Sequence, residues 1–103
     1  MKSLIIILSI LLNMYANSAD CIILKDENSI VCKYTHNRLT YDHNISVQWI
    51  DPTGYISRTR EMRIPAFHGS IYDYRYIDGR IKGVWEFHVI DNNNTYKTTF
   101  ELK

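Results

Sequence analysis

The sequence predicts an all-β domain, a small antiparallel β-sandwich of about seven short strands opened by a disulfide-stapled hairpin. Three observations predict it. Apolar and polar residues alternate with period two in successive runs from residue 44 onward, a turn signal separates each run from the next, and no window past the first twenty residues carries a 3.6-residue apolar stripe. At 103 residues, 46% of them hydrophobic, the chain holds one domain's worth of material and is too apolar to be disordered. Twelve Lys and Arg stand against eleven Asp and Glu. That balance excludes a nucleic-acid binder relying on bulk charge, and it excludes an acidic solvating tail.

The first segment is a targeting signal. Met1-Lys2 supplies a positive start, and residues 4–12 (LIIILSILL) are apolar apart from Ser9. This run is about half of the roughly 20 residues that a membrane span requires. The polar residues after it include small ones suited to signal-peptide cleavage. Cleavage is expected after Ala19, with Ser18 as the alternative. Residues 1–19 are then the leader and 20–103 a single domain, periplasmic or secreted, with no membrane span remaining. So short a domain has a marginal core and depends on large aromatic side chains and a covalent staple.

Cys21 and Cys32 supply the staple. Between them lie two apolar runs separated by Asp26-Glu27-Asn28-Ser29, a hairpin whose near-symmetric fold-back sets the cysteines opposite each other. Ten intervening residues fit neither a Cys-x-x-Cys redox pair nor a zinc knuckle.

The remaining strands follow in order. Ile45, Val47 and Trp49 share one apolar face, and Asp51-Pro52-Thr53-Gly54 has the residues of a type I turn. Residues 55–64 (YISRTREMRI) continue extended, polar and basic, and Pro65 ends them. In residues 71–77 (IYDYRYI), Tyr72, Tyr74 and Tyr76 lie on one face with Asp73 and Arg75 on the other. Asp78-Gly79 turns the chain into residues 84–90 (VWEFHVI), which direct Trp85, Phe87 and Val89 inward and Glu86 and His88 outward. After the Asx-rich stretch 91–94, Tyr96, Thr98, Phe100 and Leu102 share the face of the last strand. Trp49, Trp85, Phe87, Val89 and Phe100 are the expected core.

Trp49 in a mid-chain strand resembles the core Trp of immunoglobulin-like sandwiches. Gly83-Val84-Trp85-Glu86-Phe87-His88-Val89, continued through Phe100-Glu101-Leu102, is similar to the Gly-x-Trp strand and terminal strand of small exported bacterial immunoglobulin-like domains. Trp49, Asp51, Pro52 and Gly54 match the W-x-D-P-x-G stretch of such domains. The resemblance spans residues 44–102. It implies an immunoglobulin-like fold and an exported location, and it implies no activity.

Catalysis is not expected. No nucleophile signature and no glycine-rich phosphate cradle is present. His36, His43, His68 and His88 lie at no metal-ligand spacing, so neither metal nor cofactor is expected. His68-Gly69-Ser70 is expected to be a tight turn with Gly69 at positive φ.

Three features point to recognition, and each has a purely structural counterpart. Arg58, Arg60 and Arg63 offer planar donors for anionic groups, or they are the charges of an exposed edge strand that block further pairing. The row Tyr72, Tyr74 and Tyr76 is either a contact surface or half of the core. The loop 65–70 combines a fixed φ at Pro65, an apolar anchor at Phe67 and a glycine, unless Phe67 folds back to cap the core. Asn44 and Asn93 head N-x-Ser/Thr acceptors, each with Asp two residues before it (Asp42 and Asp91), which resembles the acceptor of bacterial periplasmic N-glycosylation. Such residues also cluster in turns. The function expected from this is that of a monomeric, non-catalytic binding module of the cell envelope, its partner another envelope or extracellular protein. The alternative is a small secreted inhibitor or effector acting through the loop 65–70.

Overall fold

The structure is a computed structural model that describes residues 17–103. Residues 1–16, which include the apolar run of the expected leader, lie outside the described residues. Seven strands form two antiparallel sheets, as the alternation predicts. One sheet has the order β1 (Ser18–Leu24), β2 (Ser29–Thr35), β5 (Ser70–Tyr76). The other runs β4 (Ile56–Ile64), β3 (His43–Ile50), β6 (Gly83–Asp91), β7 (Asn94–Leu102). Their inner faces meet in one core, with Ile30, Cys32 and Tyr34 from the first sheet against Ile45, Val47, Trp49, Trp85, Phe87, Val89 and Phe100 from the second. On one flank β1 lies beside β7. The other flank is formed by the free edges of β5 and β4.

The first hairpin turns through a single 3-10 turn, Lys25–Glu27, closed by the Asn28 N–H donating to the Lys25 carbonyl at 3.1 Å. Asn28 sits at φ 51°, a left-handed conformation that Asn adopts more readily than most residues. Cys21 and Cys32 are direct cross-strand partners with Cα atoms 4.1 Å apart, and they are bonded. The bridge therefore joins neighbouring strands of one sheet. Ser18 and Ala19, placed at the end of the leader by the cleavage-site reading, pair with Thr35 and Tyr34 in β1.

The two stretches behind the family resemblance meet in space. Asp51 Oδ1 accepts the backbone N–H groups of Thr53 and Tyr55 (2.8 and 3.1 Å), and the Gly54 N–H donates to the Asp51 carbonyl at 2.9 Å. These bonds hold the turn so that Pro52 rests on Gly83. A Cβ on Gly83 would lie 2.9 Å from Pro52 Cγ, and Gly83 has φ 129°. A glycine is required there both by space and by backbone conformation.

Candidate binding surfaces

The alternation in β5 is as read from the sequence, and its direction is now settled. Tyr72, Tyr74 and Tyr76 are 56%, 58% and 59% exposed, while Asp73 and Arg75 are 2% and 8% exposed. The tyrosines are therefore not half of the core. Trp49 supplies the physical reason. Its buried indole N–H needs an acceptor, and Asp73 Oδ2 accepts it at 2.8 Å. Once Asp73 faces inward, period two sends Arg75 in with it and all three tyrosines out. On the outer face they continue rows set by the pairing register, Ile22–Val31–Tyr74, Asp20–Lys33–Tyr72 and Leu24–Ser29–Tyr76.

The three arginines of β4 divide. Arg60 Nη1 donates to Asp73 Oδ1 at 2.8 Å, and Arg58 Nη1 reaches the same oxygen at 3.3 Å. Arg58 and Arg60 thus bridge the free edge of one sheet to that of the other. Arg63 points elsewhere and donates to Asp42 Oδ2 at 2.6 Å. Sequence reasoning missed Arg75 and Arg80 as members of the same group. Arg75 Nη1 donates to Ser57 Oγ at 3.0 Å, and its guanidinium carbon lies 5.6 Å from the centre of the Trp49 ring. Arg80 Nε donates to the Tyr76 carbonyl at 3.2 Å. Arg58, Arg60, Arg75 and Arg80 line a pocket of about 320 Å³ with Tyr74 and Tyr76. The usable signal was a mid-strand Trp49, whose indole N–H needs an acceptor once buried, together with the in-phase Asp73 and Arg75 of β5.

Phe67 does not fold back. It is 64% exposed, and at φ 68° it occupies a conformation that is a true outlier for so bulky a residue. Gly69, expected at positive φ, is not there; Phe67 is the left-handed residue of this loop. The pinning of the backbone accounts for this. The Phe67 N–H donates to the Leu39 carbonyl at 2.7 Å, the Ala66 N–H to Asp42 Oδ1 at 2.7 Å, and the His36 N–H to the Gly69 carbonyl at 3.0 Å. Gly69 serves close approach instead, since a Cβ there would lie 3.2 Å from Arg38 Nε. The bond from Ala66, then Arg63, holds the Asp42 carboxyl below its ordinary range.

The two Asn acceptors sit differently. Asn93 is exposed at the tip between β6 and β7, whereas Asn44 is exposed within β3, opposite Arg63. Both preceding aspartates have work in the fold: Asp42 in the loop just described, and Asp91 as acceptor of the Tyr34 hydroxyl at 2.7 Å. Glu86 and His88 pair at 2.8 Å on the outer face of β6. Among the described residues, no group of three or more His, Cys, Asp or Glu is placed to hold a metal ion. None of the described helices is long and apolar enough to cross a membrane.

No protein-family model, curated protein or solved structure matches this chain.

Proposed function

We propose that the chain is an exported, non-catalytic binding module of immunoglobulin-like architecture that engages another envelope or extracellular protein through the outer face of its three-stranded sheet. The observation that carries this reading is the outward tyrosine row of β5. Three large aromatic side chains remain in solvent while an aspartate and an arginine on the same strand are buried. Tyrosine offers large contact area at low conformational cost, and with arginine it is enriched at interface hot spots. Strand β4 pairs with β3, whereas the fourth strand of constant-type immunoglobulin domains joins the opposite sheet. The proposal is thus of a related arrangement in which that strand has changed partner.

Phe67 supports the alternative, an inhibitor or effector. A bulky residue held in a strained backbone on a tethered loop is a rigid projecting anchor, and such strain gathers at functional sites. Photocrosslinking in cells that export the protein separates the two. A crosslinking side chain replaces Tyr74, Phe67 or, as a control on β7, Thr99. A discrete adduct from position 74 alone supports the sheet face, and one from position 67 alone supports the loop. Equal labelling from all three positions contradicts both.

A further inference from the structure

We propose that the cleft between β4 and β5 is a binding site for a phosphate-like oxyanion, free or carried on an ester, with Arg75 at its floor. The proposal extends the binding-module reading without depending on it, since the ligand is a small anion rather than a protein surface.

Four guanidinium groups line the pocket, and among the described residues Asp73 is the only carboxylate bonded to any of them. Asp73 is fully committed, because Trp49, Arg58 and Arg60 all donate to it. The remaining bonds of the cluster go to neutral acceptors: Arg58 to the Tyr74 carbonyl, Arg75 to Ser57 Oγ, Arg80 to the Tyr76 carbonyl. Three positive charges are left without a counter-ion.

Arg75 turns this surplus into a site. It is 8% exposed, it has no carboxylate partner, and its Nε is a buried donor with no acceptor. Buried polar groups are almost always satisfied, and a buried cation without its anion is costly. Burial, and then the nearby Arg80 and Arg58, lower the affinity of the Arg75 guanidinium for its proton, and Asp73 only partly opposes them. An oxyanion held among these guanidinium groups would give Arg75 the counter-ion it lacks and convert the repulsion among the arginines into attraction. Arginine is also the side chain whose planar fork matches a phosphate.

Size and rim define the ligand further. About 320 Å³ is near the lower end of ligand pockets, enough for a phosphate or sulfate and a few attached atoms. Tyr74 and Tyr76, with ring centres 6.3 Å apart and edge to face, flank the mouth and would contact the organic part of an ester. The larger cleft, about 600 Å³ on an apolar floor of Ile23, Ile77 and Leu102, has two lysines balanced by two carboxylates. No orphan buried donor lines it.

The test is a titration of the disulfide-bonded protein at low ionic strength, following the Arg Nε–H resonances by NMR. The probes are inorganic phosphate, phenyl phosphate and acetate. Phosphate should shift the Arg75 Nε–H resonance saturably, and acetate should bind at least tenfold more weakly. Tighter binding of phenyl phosphate assigns an ester-borne group, and equal binding assigns the free ion. Arg80→Gln, at the rim and away from the buried network, should weaken binding about fivefold or more while leaving the spectrum folded. Lys97→Gln, on β7, should leave it unchanged. Absence of saturation, or equal losses from Arg80→Gln and Lys97→Gln, overturns the proposal, and neither result touches the crosslinking test of the tyrosine face.

Discussion

The sandwich carries two polar clusters, one at each end of strand β3, and the two are built on opposite principles. At one end Asp91 accepts the Tyr34 hydroxyl at 2.7 Å and lies 3.7 Å from His43 Nε2. In the full chain the amide of Asn17, a residue that the expected cleavage after Ala19 would remove, donates to the hydroxyls of Tyr34 and Tyr96, and its carbonyl accepts the Asn37 N–H. Tyr34 stacks on His36, which meets His43 edge to face. Burial, and then the bond to Asp91, push the Tyr34 phenol above its ordinary range, so it stays a neutral donor. Six residues along β3, about 20 Å at strand rise, Trp49 opens the second cluster, where Asp73 faces the guanidiniums of Arg58, Arg60 and Arg75. Each end has one buried or half-buried carboxylate. The first gathers hydroxyl, amide and imidazole groups, none of them a permanent cation, and leaves His36 Nε2 and His43 Nδ1 buried without partners. The second gathers arginines, whose charge is permanent. A fold that keeps permanent cations around a single carboxylate leaves a charge for something else to satisfy.

Removing each carboxylate measures that difference. Asp73→Ala leaves Arg58 and Arg60 unpaired and the Trp49 N–H without an acceptor, a loss of about 3–5 kcal/mol in urea unfolding. Asp91→Ala leaves the Tyr34 hydroxyl short of an acceptor and takes the carboxylate away from His43, a loss of about 1–3 kcal/mol. Equal losses would erase the distinction. The staple gives an intermediate yardstick. Cys32 lies opposite Asp73 on one side and Cys21 on the other, and replacing both cysteines by alanine should cost roughly 2–3 kcal/mol on the chain-entropy model.

The smallest effect lies outside both clusters. Folding holds the Asp42 carboxyl below its ordinary range. Its contribution is therefore complete above the unfolded value, about 3.9, and is lost as pH falls through the lower folded one. The Ala66 amide resonance, bonded to Asp42, should titrate with a midpoint below the ordinary aspartate range. A midpoint at or above that range would contradict the assignment.

Much of the core was legible because its evidence is local. Ile45, Val47 and Trp49, like Trp85, Phe87 and Val89, announce one apolar face by period two, and the opposite face of each strand is polar enough to say which way is in. The cysteine pair was legible for the same reason, since a short symmetric hairpin places its ends opposite each other. In β5 this logic reaches only half-way. Tyrosines alternate with Asp73 and Arg75, and either phase satisfies the pattern. What decides is the Trp49 N–H, 24 residues earlier in sequence. The binding pocket inherits that gap, because Arg75 and Arg80 join Arg58 and Arg60 only once β5 has turned Asp73 inward. Gly69 was misread for a similar reason. The left-handed residue of its loop is Phe67, set by bonds to Leu39 and Asp42, not the glycine two positions on.

The most direct measurement of the contrast between the two ends is thermal unfolding in phosphate and in chloride at matched ionic strength. Surface screening responds alike to both salts, and exclusion of phosphate from the surface acts alike on wild type and variants, whereas an anion bound only by the folded state adds an increment that depends on the site. Phosphate should raise the melting temperature of the wild-type protein above the chloride value, Asp91→Ala should keep this increment and Arg80→Gln should lose most of it. Identical melting temperatures in the two salts, or an increment untouched by Arg80→Gln, would contradict the anion site.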